Sequence, residues 1–341
     1  MPLRSPVFIG CTGQGDRSVF PRAGKPYWDS SPAFRAKLYE AEGWFPDLRV
    51  IELAVYEDNP KKLVPTEVAQ PIAYALALAI AATLVEQGEK AFRRKNTIYG
   101  GQSIGTAAAG VLAHAYSGSF GASLVGERSA FMHQACQKTK GKMVALIIYP
   151  DALSDIETIC STYGIQVGNY NSPSQIVLTG KIKWVDRAVD KLKEKQLARR
   201  VIPLLTEGAY HNEELMAGAV PPMIQWLDQN LPAEFHPQSV LIGNQGQIIA
   251  SREEAIAELS AGIAQPSRFC AVMDTVYTQF RAKQTIECGP GKVIEGMVND
   301  YKKTLGGSSS KRMKQLAVSI TAVTAAAIFT TALLHNDHND S

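Results

Sequence analysis

The sequence has little charge of either sign to spare. Its 35 Lys and Arg against 32 Asp and Glu leave a formal net charge of +3, too small to imply a nucleic-acid partner. No finger, basic-helix or aromatic-basic strand pattern adds to it, so no nucleic acid is expected. Cysteine is scarce too, with five in 341 residues (Cys11, Cys136, Cys160, Cys270 and Cys288), no C-x-x-C pair and an odd total. That scatter argues against a disulfide framework and for reduced thiols in an intracellular compartment, cytoplasm or organelle. His133 and Cys136 stand close together, but two ligands do not make a zinc site. No charged region and apolar core precede the first strand pattern, Pro6-Val7-Phe8-Ile9-Gly10, so no cleaved leader is expected.

With 45% hydrophobic and 20% charged residues, the chain can bury a large core as one domain or as a domain with an insert. The carboxyl end stands apart. After a Gly306–Ser310 linker comes Lys311-Arg312-Met313-Lys314, then the uncharged run Leu316 to Leu334 and a polar tail. The layout suits a membrane anchor with its basic side in the cytosol, yet the run is rich in Ala and Thr. A terminal helix packed on the domain or on a partner subunit fits it equally well.

The most informative stretch is Gly101-Gln102-Ser103-Ile104-Gly105, a G-x-S-x-G pentapeptide between a short apolar run and the Ala-rich Thr106 to Ala115. A strand that turns sharply into a helix exposes a serine hydroxyl, aims the helix N-terminus at it, and needs glycines where side chains would clash. Ser103 is therefore the candidate nucleophile. A peptide N–H directly after it, that of Ile104, is already placed as a donor to a developing oxyanion.

Between Lys142 and Leu205 the pattern changes. Strands are expected at Met143–Tyr149, Ile165–Tyr170, Gln175–Thr179 and Val201–Leu205, and helices at Ser154–Tyr163 and Lys183–Leu197, with a turn at Asn171–Ser174. The order βαββαβ is the ferredoxin-like unit. Around it run elements of an alternating α/β domain: the first strand, a helix over Val68–Gln87, the Ser103 strand and helix, a helix over Leu124–Gln137, and strands at Ser239–Ile242 and Thr285–Cys288.

Several stretches, in order, resemble the malonyl-CoA:acyl-carrier-protein transacylases across residues 6 to 304. They are Thr12-Gly13-Gln14-Gly15, Gln70-Pro71, the 101–105 pentapeptide, Arg128 with Met132, and 169–180. Gly208-Ala209-Tyr210-His211 with Leu215-Met216, and Glu287-Cys288-Gly289-Pro290-Gly291-Lys292, complete the set. The resemblance implies an α/β fold, with an α/β-hydrolase-like large domain at 1–141 and 206–304, an inserted ferredoxin-like (βαββαβ) small subdomain at 142–205, and a linker and apolar segment at 305–341. It implies malonyl transfer from malonyl-CoA to the phosphopantetheine thiol of acyl carrier protein, without metal or organic cofactor. Within that reading His211 is the base, Gln14 joins Ile104 on the oxyanion side, and Arg128 forks onto the malonyl carboxylate, as a planar guanidinium can and a lysine cannot. Asn169 and Asn171 are secondary substrate-binding candidates that serve equally well as turn residues.

Departures from the family pattern stand near the site. Gln102 replaces a histidine before the nucleophile, and Thr106 replaces a glutamate after the elbow. Gly262 replaces a glutamine four residues before a proline, where a main-chain carbonyl orients the histidine in relatives. Tyr210 stands where malonyl-selective relatives often have phenylalanine. The basic run Lys181, Lys183, Arg187, Lys191, Lys193, Lys195, Arg199 and Arg200 reads either as a docking face for an acidic carrier protein or as a solvated surface. Two rival functions remain open at this level: a hydrolase, which would need an acid such as Asp151 or Asp155 behind the histidine, and a non-catalytic carrier-protein scaffold tethered to a membrane.

Overall fold

The computed structural model describes residues 5–15 and 19–305, so the linker and Leu316–Leu334 lie outside the described residues. The first part of the chain forms β1 (Val7–Cys11), α1 (Val19–Ser30), α2 (Pro32–Trp44), α3 (Thr66–Glu86), β2 (Thr97–Gly101), α4 (Gly105–Leu112) and α5 (Gly118–Lys138). Next come β3 (Gly141–Ile148), α6 (Leu153–Thr162), β4 (Gln166–Ser172), β5 (Gln175–Lys181), α7 (Ile182–Glu194) and β6 (Ala198–Pro203). The remainder forms α8 (Val220–Asn230), β7 (Val240–Ile242), α9 (Arg252–Ala261), α10 (Phe269–Asp274), β8 (Gln284–Cys288) and α11 (Val293–Leu305).

Four strands drawn from both ends of the described chain make one parallel sheet in the order β7-β2-β1-β8. β1 is buried at every position, as a central strand covered by helices on both faces must be. Its Cys11 registers with Gly101 on one side and Cys288 on the other. The long α3 is apolar almost all round and long enough to cross a membrane by composition. It is a core helix, 78% buried in its most apolar stretch.

The other four strands form a separate sheet in the order β4-β5-β3-β6, each neighbour antiparallel. With two crossing helices this is the ferredoxin-like arrangement. α7 buries Val185, Ala188, Val189 and Leu192 along one stripe, and the subdomain keeps its own core around Leu146, Ile156, Leu178 and Leu192. Boundaries differ from the sequence reading at several elements. Asn171 and Ser172 belong to β4, so the turn shortens to Pro173-Ser174. β6 starts earlier, at Ala198, because it is an edge strand that keeps Arg199 and Arg200 exposed and shows no apolar run until Val201. α5 begins a turn and a half before Leu124, where the Ser117 hydroxyl caps it by accepting from the Phe120 N–H.

Candidate active site

Being parallel, the four strands all end on one side of the sheet, the usual place for a site in an open α/β fold. β2 delivers Ser103 there. Gly101 and Gly105 make the elbow possible, since a Cβ on Gly101 would sit 2.1 Å from the Gly105 carbonyl carbon and one on Gly105 would sit 2.2 Å from the Cys11 carbonyl oxygen. Ser103 itself has φ +53°, the strained left-handed conformation expected of an elbow nucleophile.

His211 comes from a loop after β6, also with a positive φ of 53°. Its Nε2 lies 2.8 Å from Ser103 Oγ, and its Nδ1 lies 3.0 Å from the Gln265 carbonyl. A proton on Nδ1, donated to that carbonyl, leaves Nε2 as the acceptor for the serine hydroxyl. Burial, and next the positive charge of Arg128, lower the His211 pKa to about 4, while the Gln265 carbonyl pulls weakly the other way. The imidazole is thus neutral and able to accept a proton at neutral pH. Among the described residues no carboxylate is hydrogen-bonded to its ring, and Asp151 and Asp155 are exposed just before and within the first turn of α6. The orienting carbonyl is that of Gln265, three residues beyond the expected Gly262, whose own carbonyl faces Arg128.

Arg128 is no surface residue, although Glu127 beside it suggests one; it is 5% exposed. From α5 its Nη2 reaches Ser103 Oγ and the Gly262 carbonyl, both at 3.4 Å, and its Nη1 donates to Gln70 Oε1 from α3. Burial lowers its pKa to about 10, a drop tempered by the Glu258 charge, so it stays cationic. These hydrogen-bond partners are all neutral, leaving a buried cation beside the nucleophile. With Ser103, Thr106, Asn244, Glu258 and Gly262 it lines a cavity of about 10 Å³, the size of one water. A larger groove of about 640 Å³, between Glu42, Arg49, Tyr56 and Lys62, holds neither Ser103 nor His211.

Gln14 follows β1 in a turn that presses on the elbow, where a Cβ on Gly13 would be 3.7 Å from Ser103 Cβ; its side-chain Oε1 accepts from Thr66 Oγ1 at 3.5 Å. Ile104 caps α4 without side-chain help, and among the described residues its N–H meets no backbone acceptor. Asn171 Oδ1 accepts from Gln102 Nε2 at 2.5 Å, so the residue replacing the usual histidine links the elbow to the small subdomain. Asn169 is 7% exposed and bridges to Ser267 on the loop bearing Gln265.

Sequence reasoning missed Asn244, Glu258 and the Gln265 carbonyl. Asn244 lies two residues beyond β7 and contacts Ser103, Thr106 and Glu258. Its position past the end of a parallel strand was the available signal. Among the described residues no group of three or more His, Cys, Asp or Glu side chains gathers as a metal site.

A serine hydroxyl bonded to a neutral imidazole at the strand ends is an arrangement suited to acyl transfer. The chain belongs to the acyl transferase domain family, which it matches over residues 7–295. It is 28% identical over 310 residues to the malonyl CoA-acyl carrier protein transacylase of Bacillus subtilis, covering 90% of this chain and 91% of that one. It is likewise 28% identical over 261 residues to the enzyme of that name from Mycolicibacterium smegmatis, covering 74% and 84%. Among solved structures, MCAT from Streptococcus pneumoniae superposes with a TM-score of 0.73 at 29% identity, over 88% of this chain and 94% of that one. The fold is shared too by PlMCAT in its complex with a type II acyl-carrier protein, at TM-score 0.76 and 24% identity over 88% and 94%.

Proposed function

We propose that this acyltransferase moves a malonyl group from malonyl-CoA to the phosphopantetheine thiol of acyl carrier protein through a malonyl-serine intermediate. The observation that carries the reading is a single hydroxyl with two neighbours: Ser103 Oγ lies 2.8 Å from His211 Nε2 and 3.4 Å from Arg128 Nη2. The names of the relatives from B. subtilis and M. smegmatis support the choice of substrate and acceptor.

In the first half-reaction His211 Nε2 takes the Ser103 proton as Oγ bonds to the thioester carbon. The oxyanion is met by the N–H groups of Ile104 and the Gln14 turn. The carbon–sulfur bond then breaks, and the CoA thiolate takes the proton held on Nε2. In the second half the carrier thiol gives its proton to Nε2, its sulfur bonds to the ester carbon, and as the carbon–Oγ bond breaks the proton returns to Ser103 Oγ. Arg128 binds the malonyl carboxylate, whereas acetyl-CoA leaves the guanidinium unpaired at a cost of roughly 1–3 kcal/mol. The reading needs no metal or organic cofactor. A carbonyl rather than a carboxylate behind His211 sets the site apart from a Ser–Asp–His hydrolase. The five unpaired thiols fit a reducing intracellular compartment.

Intact-mass measurement after brief exposure to malonyl-CoA tests this. The expected result is an adduct on Ser103 that persists alone, transfers to added holo carrier protein, and is absent in Ser103→Ala. Immediate release of free malonate with no transfer would favour a hydrolase, and no adduct in the wild type would favour a non-catalytic scaffold.

A further inference from the structure

We propose that Asn244 is a positioning residue for the nucleophile: its side-chain amide clamps the main chain of Ser103, and the buried Glu258 carboxylate fixes which way round that amide points. The inference rests on the acyl-transfer reading of Ser103.

Ser103 donates its N–H to Asn244 Oδ1 at 2.6 Å, and Asn244 Nδ2 points back to the Ser103 carbonyl at 3.4 Å. One planar amide therefore spans both polar groups of the residue held at φ +53°. A left-handed conformation is unfavourable for an ordinary L-residue and persists only where the surroundings over-determine it.

The amide is itself fixed. Nδ2 donates to Glu258 Oε1 at 2.8 Å and to Thr106 Oγ1 at 3.0 Å, while Glu258 also accepts from the Asn244 main-chain N–H at 2.7 Å and from Gln247 Nε2 at 2.7 Å. Glu258 is 5% exposed. A carboxylate accepts only, so it forces Nδ2 toward itself and leaves Oδ1 for the Ser103 N–H. Ser267 Oγ donates to the same Oδ1 at 3.1 Å. Ser267 ends the segment whose Gly262 and Gln265 carbonyls hold Arg128 and His211. Asn244 thus ties the nucleophile to the segment that holds its base and its guanidinium. Thr106, smaller than the glutamate of the family pattern, supplies the hydroxyl that Nδ2 meets.

The test exchanges donor and acceptor. In Asn244→Asp one oxygen still accepts from the Ser103 N–H, but the other faces the Ser103 carbonyl and the Glu258 carboxylate. Wild type, Asn244→Ala and Asn244→Asp are compared by rapid-quench mass measurement of malonyl-Ser103, with thermal melting of each. Both variants are expected to slow acylation roughly 100-fold, with KM for malonyl-CoA moved by no more than about threefold, since a misplaced nucleophile affects the chemical step. Should Asn244→Ala not fold, Asn244→Asp decides. Acylation by Asn244→Asp within about threefold of wild type, or a KM raised as much as acylation is slowed, overturns the proposal. Failure of wild type to label Ser103 overturns the acyl-transfer reading itself, and is seen in a different sample.

Discussion

With His211 as the proposed base, the direction of its pKa shift fixes the sign of the site's response to pH. Its pKa is lowered to about 4, first by burial and then by the Arg128 charge. A folded-state value below the ordinary one of about 6.5 means that the unfolded chain binds the proton more readily, so acidification from pH 6.5 toward 4 destabilises the fold through this group. For catalysis, kcat/KM with malonyl-CoA should stay level from neutral pH to about 5 and fall with a midpoint near 4, read from acylation rates across pH. Arg128→Ala should move that limb upward by removing the second cause, and should slow malonyl transfer about 100-fold while raising acetyl transfer relative to it. An unmoved limb with unchanged acyl preference would show that the guanidinium acts on neither group. Ser103 was legible because glycine spacing encodes an elbow, and His211 and Arg128 because a family pattern carries them. Asn244 and the Gln265 carbonyl were not legible: one acts through an amide on the main chain, the other through a backbone atom that any residue possesses.

The elbow joining β2 to α4 works through the absence of side chains, which makes it testable by adding one. A methyl at Gly105 would lie 2.2 Å from the Cys11 carbonyl oxygen and 2.8 Å from that of Thr12, pushing β1 and the Gln14 turn away from Ser103. Gly105→Ala is therefore expected to lower stability by about 1–3 kcal/mol and to remove most acylation, read by melting and adduct mass. Gly126→Ala, in α5 near Arg128, meets nothing within 4 Å and should raise stability by about 0.5–1 kcal/mol. Equal effects at the two positions would mean that helix propensity, not close approach, governs the elbow. The same distinction explains what the sequence disclosed about elements. α7 was plain from its buried Val185, Ala188, Val189 and Leu192 stripe, whereas the extent of β4 was hidden, because Asn171 and Ser172 have turn chemistry yet lie in the strand, Ser172 pairing with Gln175 and Asn171 falling at a register shift.

In the whole molecule, the parallel sheet carries a hydrophobic core on each face and the inserted sheet a third of its own. The βαββαβ order made the inserted sheet readable, since alternation and helical period survive insertion; what the sequence did not disclose is how the insert is fastened, because those bonds join residues far apart in the chain. Ser172 Oγ and Ser174 Oγ of the β4–β5 hairpin donate to Asp300 Oδ2 on α11 at 2.5 and 2.7 Å, and the Ser174 N–H does so at 3.3 Å. The same hairpin carries Asn171, which accepts from Gln102 beside the nucleophile, and β4 exchanges main-chain bonds with Ser267 at 2.8 Å. Separate cores open as separate cooperative units, so cutting one fastening should loosen the inserted sheet before the parallel one. Asp300→Ala is expected to raise amide hydrogen exchange in β4 and β5 by about tenfold or more while β1 and β2 keep their protection. Uniform acceleration in both sheets would mean that the two sheets unfold together and that Asp300 holds up the whole fold rather than the position of the hairpin over Ser103.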